Sequence, residues 1–273
     1  VPTDSSGFSI QLDYPIHPRP RYGHGRPSHA KLFELLDRRR QEYARTLRSF
    51  LPLGDALARI PVPAPKSDAV TPHWNNTWFE GIDGLSLYGF LATRNPKRYF
   101  EVGSGNSTKF ARQAINDHGL RTKITSIDPF PRAEINSICD EIVRQPLEDV
   151  DVAAFDNLEA GDVLLVDNSH RVFTNSDATV VFLDVMPRLK SGVLLGIHDI
   201  MLPDDYPPDW VGRFYSEQYV LAAYLLAQGT LFDVTLPSSF LGHCPDLKQI
   251  VVPIWSRLPG ANPSGSSFWL QIR

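Results

Sequence analysis

The stretch 98–108, Arg-Tyr-Phe-Glu-Val-Gly-Ser-Gly-Asn-Ser-Thr, constrains this chain more than any other. A short apolar run, Tyr99 to Val102, stops at Gly103-Ser104-Gly105, and apolar residues at helical spacing follow at once (Phe110, Ala111, Ala114, Ile115). The pattern predicts a strand over 98–102, a tight glycine turn and a helix over 107–118. Such a turn lets a ligand approach the backbone, and the start of the helix offers N–H groups without partners. Glu101 sits at the end of the strand, just before the glycines. A second strand, 123–128, ends in Asp128, 23 positions after Gly105. That is close to the roughly 20 residues between the glycines and the ribose-binding acid of a nucleotide-binding unit. An acid there can bind both ribose hydroxyls.

The alternation continues. Strands are expected at 141–144, 163–166, 193–197, 232–236 and 268–272, with helices at 177–189 and 217–228. Apolar runs such as Val163 to Val166 fit strands buried on both faces. The fold class is therefore α/β, a Rossmann-like, mostly parallel seven-stranded sheet with helices on both faces and an antiparallel last strand. Ligands bind such sheets at the carboxyl ends of the strands. Glu101 with its glycines, Asp128, Asp167 and the pair His198-Asp199 then converge on one crevice.

An N-terminal arm and helical appendage is expected over 1–72, with the main domain over 73–273. Residues 1–28 read as an extended arm. Ser28 is placed to cap a helix with apolar residues at 32, 35, 36, 43, 47 and 51, the charges of 37–40 lying on its outer face. Residues 83–91 form a further helix. The segment 237–264 reads as a loop-rich insert.

The glycine pattern separates two cofactor classes. A dinucleotide fingerprint puts its third glycine at position 108, which is Thr108, and this argues against a nicotinamide-dependent oxidoreductase. The run Glu-Val-Gly-Ser-Gly-Asn-Ser-Thr resembles the first motif of class I S-adenosylmethionine-dependent methyltransferases. The resemblance implies S-adenosylmethionine held by Glu101, Gly103, Ser104, Gly105, Asn106 and Ser107, its ribose at Asp128 and its adenine near Pro146 and Leu147. Asp167 stands beside it, and Trp78 closes over it from the segment before the first strand.

Two adjacent strand ends carry a second constellation, Asp167-Asn168-Ser169-His170 and Gly196-Ile197-His198-Asp199. Each carboxylate has an imidazole within three positions. A histidine near its ordinary pKa can take a hydroxyl proton near neutral pH, or a divalent cation on two carboxylates can acidify a bound hydroxyl. The pattern is similar to the catechol and macrocin O-methyltransferase-like branch. That likeness implies Asp167 and Asp199 as ligands of Mg²⁺ and His170 as base, with His198 and Asp167 in the same reaction centre. The third ligand position of that branch is Ile200 here. The aromatic loop 202–210, continued by Arg213, Tyr215, Glu217 and Gln218, reads as a lid over a small-molecule acceptor. Its acids suit a polar or cationic acceptor. A methyltransferase-like interaction module without catalysis is the alternative.

The net charge of −4 gives no basic footprint for nucleic acid. There is no apolar run of about 18 residues to span a membrane. The first residues lack the pattern of a signal peptide, and Cys139 and Cys244 form no disulfide framework, so a reduced, cytoplasmic setting is expected. The apolar side of the N-terminal helix is expected to pack on its own domain or on a second copy of the chain.

Overall fold

The computed structural model describes residues 11, 13–65, 69–131 and 133–273. The expectations for residues 1–10 lie outside them. Helices α1 (Ala30–Asp37), α2 (Arg40–Ser49), α3 (Gly54–Leu57) and α4 (Gly81–Arg94) precede the first strand. Then come β1 (Arg98–Val102), α5 (Asn106–His118), β2 (Lys123–Ile127), β3 (Glu141–Val143), β4 (Val163–Val166) and α6 (Asp177–Val180), which continues through π and 3₁₀ turns to Arg188. The chain closes with β5 (Leu194–Ile197), α7 (Glu217–Leu226), β6 (Phe232–Pro237), α8 (Pro245–Trp255) and β7 (Phe268–Ile272).

The strand order is β3-β2-β1-β4-β5-β7-β6. β1 to β5 pair in parallel, while β7 inserts antiparallel between β5 and β6. The chain winds outward from β1 in one direction and from β4 in the other. The crevice between these two strand ends is the switch point at which such sheets bind ligands. The close approach of β5 to β7 depends on Gly196, where a Cβ would lie 2.6 Å from the Trp269 ring.

The single N-terminal helix expected from the sequence is two. Its cap is His29, whose ring accepts from the Leu32 amide, and not Ser28, whose hydroxyl donates to Asp204. The break falls at Arg39, which turns inward to Asp233 at 2.6 Å and to the Val234 carbonyl at 3.0 Å, so this charge anchors β6. Leu32, Leu36, Tyr43 and Leu47 are buried on the chain's own domain, with α1 against α7 and α2 against α8 and β6. The insert 237–264 is not loop-rich, because α8 runs through it. Pro245 occupies the first helical turn, where a missing N–H costs nothing, and Pro253 falls near the end. Leu247, Val251 and Ile254 form its buried face, a helical spacing that the prolines obscured.

Candidate active site

The turn after β1 is shaped by a contact that admits only glycine. Gly103 has φ of +79°, and a Cβ there would stand 1.7 Å from the Asp167 carbonyl oxygen. The next amide, Ser104, donates to Asp128 at 2.7 Å, and the other Asp128 oxygen accepts from Phe130 at 2.8 Å. The turn, Asp128 and the end of β4 thus enclose a cavity of about 490 Å³. Gly103, Ser104, Gly105, Asn106, Ser107, Asp128, Pro146, Leu147, Asp167 and Trp78, grouped together in the sequence analysis, all line it. Phe130, 70% exposed, lines it too, and the buried Asn168 Nδ2 on its wall is a donor without a protein partner. A cradle with a spare donor at Asn168 and the Asp128 carboxylate beside a glycine turn fits a nucleoside ligand such as S-adenosylmethionine.

Glu101 departs from expectation. It is 0% exposed and does not line the cavity. Its oxygens accept from Tyr99 at 2.8 Å, from Ser107 at 3.1 Å and from Thr108. Burial pushes its carboxyl up to about 7 against those hydroxyl donors. Glu101 therefore ties the turn to the start of α5 from beneath instead of meeting a ligand.

A second cavity, of about 680 Å³, opens on the other side of Trp78, which lines both. Asp83, His198, Asp199 and Ser266 lie on its walls together with Met201, Trp210 and Trp255. Between the cavities sits a cluster of two imidazoles and four carboxylates. His198 Nδ1 is 3.3 Å from Asp167 and 3.4 Å from Asp199, and His170 Nε2 is 3.3 Å and 3.5 Å from the same two groups. The far nitrogen of each ring meets a buried carboxylate from a helix. His198 Nε2 faces Asp83 of α4 at 3.2 Å, and His170 Nδ1 bonds Glu217 at the start of α7. His170 and Asp199 hold φ of +60° and +54°, left-handed values that cost non-glycine residues on the order of 1 kcal/mol each and collect at functional sites.

The electrostatics follow from this packing. Burial alone pushes His170 down, but the Glu217 and Asp167 carboxylates hold it well above the usual imidazole range. His198 is raised in the same way, against its burial, by Asp167 and Asp199. Asp167 is held far below the usual carboxylate range because the two imidazoles outweigh its desolvation.

The base expected at His170 is displaced from that role. His170 is 4% exposed, lines neither cavity and stands behind Asp167 and Asp199. His198 lines the second cavity, and its Nδ1 is buried without a well-formed hydrogen bond. The expectation of Mg²⁺ on Asp167 and Asp199 finds no support either. The position between these carboxylates is taken by His170 Nε2, the place of a third oxygen ligand by the buried side chain of Ile200, and Mg²⁺ favours oxygen ligands in octahedral array. Among the described residues no group of three or more His, Cys, Asp or Glu is arranged to hold a metal ion.

Two of the three acids of the lid loop, Asp204 and Asp205, turn elsewhere. Asp205 accepts from the Arg21 and Tyr22 amides and from Tyr219, and Asp204 accepts from Ser28 and meets His243. They pin the N-terminal arm and do not line the cavity, so they do not set the acceptor's charge. Asp83, Phe130 and the face of α8 escaped the sequence reading, and Glu217 was placed in the lid. An acid early in a helix reads as an ordinary first-turn charge, so nothing local marked Asp83 or Glu217. Among the described residues no helix is long and apolar enough to cross a membrane.

Residues 100–200 match a family model described as "Methyltransferase domain". An uncharacterized protein from Archaeoglobus fulgidus is 33% identical over 94 residues, which is 31% of this chain and 41% of that protein. This chain thus spans less than half of that relative. Among solved structures, the methyltransferase PaMTH1 of Podospora anserina, bound to S-adenosylhomocysteine, is similar at 15% identity over 70% of this chain and 77% of its own, with a TM-score of 0.42. The O-methyltransferase TomG of Streptomyces achromogenes, in complex with S-adenosylmethionine, gives 15%, 69%, 78% and 0.40 in the same order. The plantazolicin methyltransferase BpumL gives 13%, 85%, 98% and 0.44.

Proposed function

We propose, for a chain whose residues 100–200 match a methyltransferase-domain model, S-adenosylmethionine-dependent methylation of a hydroxyl group on a small molecule, with His198 as the proton acceptor. The observation that supports this reading is the meeting of two cavities at Trp78 and at the Asp167–His198 contact. One has a glycine turn with the Asp128 carboxylate beside it; the other is large enough for a drug-sized molecule. A titratable nitrogen lies between them.

S-adenosylmethionine supplies a methyl group on a positively charged sulfur, which leaves as a neutral thioether once the new carbon–oxygen bond forms. The chain's residues do the rest. The turn amides and Asp128 hold the nucleoside, and Asp167 places negative charge at the junction. Asp83 on the Nε2 side and Asp167 and Asp199 on the Nδ1 side orient the His198 ring, which takes the hydroxyl proton. His170, charged between Asp167 and Asp199 and backed by Glu217, keeps those carboxylates apart and in place. Holding hydroxyl and methyl in line is the larger part of the task, since orientation alone supplies several kcal/mol in such reactions.

Calorimetric titration with S-adenosylmethionine and S-adenosylhomocysteine, with NAD as control and with and without Mg²⁺, tests the donor half. Micromolar binding of both sulfur compounds, no binding of NAD and no Mg²⁺ effect are expected. Failure of both sulfur compounds to bind overturns the proposal.

A further inference from the structure

The second cavity has an uneven charge balance. Its acids are already engaged. Glu80 accepts from the Thr77 amide at 2.7 Å and from Asn262 at 2.8 Å. Asp83 accepts from the Ser266 and Ser267 amides at 2.9 and 2.7 Å as well as meeting His198. Asp199 accepts from Ser266 Oγ at 3.0 Å and faces both imidazoles. Among the described residues Lys248 is the one lysine or arginine on the cavity wall, and its ammonium makes no hydrogen bond or ion pair with any of them. It is exposed on α8, while His198 is buried, so the free cation lies toward the mouth and the base at the floor. Between them the wall is aromatic and apolar: Trp78, Trp210 and Trp255 with Met201 and Val251. Trp78, 54% exposed, stands where this cavity and the first one meet.

A wall of three indoles favours a flat ring, and an unpaired ammonium beside satisfied carboxylates favours an anion. Resting on the function proposed above, we infer that the acceptor is a flat, ring-bearing hydroxyl compound carrying one anionic group. Its anion meets Lys248 and its hydroxyl reaches His198. Specificity then lies in α8: a neutral or cationic analogue forfeits the ammonium contact, and a cationic one is repelled by it.

The test uses two nearly isosteric probes, 4′-hydroxybiphenyl-4-carboxylate and 4′-hydroxybiphenyl-4-carboxamide, titrated into protein saturated with S-adenosylhomocysteine and followed by tryptophan fluorescence. The carboxylate is expected to bind about tenfold tighter, a difference of about 1.4 kcal/mol. Lys248→Ala should remove that preference, and Lys248→Glu should reverse it. Lys248 is exposed, so both variants should fold, and unchanged S-adenosylhomocysteine affinity checks this. Equal affinity of the two probes for the wild type overturns the inference, as does a preference that survives in Lys248→Ala. Binding of neither probe while S-adenosylhomocysteine still binds overturns the acceptor class and leaves the donor assignment standing. Loss of S-adenosylhomocysteine binding as well overturns the underlying function.

Discussion

The two cavities that meet at Trp78 are built in opposite ways. The donor side comes from the first half of the sheet. Its floor is one continuous strand–turn–helix, 98–118, whose Ser104 amide secures the Asp128 carboxylate. The acceptor side gathers single residues from α4, the end of β5, the 201–210 loop, α8 and the 262–266 segment. In the proposed function the donor side reads a constant ligand, and its turn is set by backbone geometry at Gly103. The acceptor side reads through side chains, which can be exchanged without disturbing the sheet. Variants on one side should therefore leave binding on the other intact.

The largest effect is expected at the donor turn. Gly103→Ala places a Cβ 1.7 Å from the Asp167 carbonyl and forces a left-handed φ of +79° on alanine. The turn must move, so S-adenosylhomocysteine affinity should fall by about 100-fold or more, with a lower Tm from a strain of a few kcal/mol. Calorimetry and thermal melts read both. Retained donor affinity would show that the cavity does not rely on the turn.

Next is the residue between the two sides. His198→Ala should lower kcat by roughly 10²–10⁴-fold while donor affinity changes less than about threefold. The pH dependence sharpens this. His198 faces Asp83 from α4, Asp167 after β4, Asp199 after β5 and Ser266, with His170 across the same carboxylates. These acids hold it above the usual imidazole range, so the neutral, proton-accepting form grows as pH rises through that raised value. The ascending limb of kcat should therefore lie above the ordinary imidazole pKa of about 6.5. Asp83→Asn removes a negative charge beside Nε2 and should shift the limb to lower pH. A limb that shifts with Glu217→Gln but not with Asp83→Asn would return the base role to His170.

On the acceptor side, Trp255→Ala should weaken binding of an aryl acceptor about tenfold, a loss of about 1.4 kcal/mol, and leave S-adenosylhomocysteine affinity unchanged. A small fall in Tm is also expected, because Trp255 packs edge-on against Trp74 at 5.4 Å. Equal losses for donor and acceptor would break the separation drawn here.

The same contrast governs what the sequence disclosed. The donor side was legible because its signals are local: an apolar run, two glycines, a helical period and an acid 23 positions on. The sheet followed from alternation alone, down to the antiparallel last strand. Glu101 was misplaced because a strand-end acid reads as a ligand contact until its partners Tyr99, Ser107 and Thr108 are seen to enclose it. On the acceptor side, Asp83 and His198 are 115 positions apart, and no spacing rule joins them. Asp204 and Asp205 of the lid loop were visible, but the N-terminal arm that engages them comes back from more than 170 residues away. Prolines hid α8, although Leu247, Val251 and Ile254 already carried its period.

The smallest effect is expected at an exposed ring on the donor side. Phe130 is 70% exposed, so truncating it removes little from the core, and Phe130→Ala should change Tm hardly at all. Its amide bond to Asp128 is a backbone contact and survives the change. What is lost is a ring on the cavity wall that also carries Pro146 and Leu147. If the adenine lies among them, the stacking forfeited is worth about 1 kcal/mol at so open a position, and S-adenosylhomocysteine should bind about fivefold more weakly. Acceptor affinity should not move. An unchanged donor affinity would place the adenine away from Phe130 and toward Pro146 and Leu147, which makes Leu147→Ala the next variant on that wall.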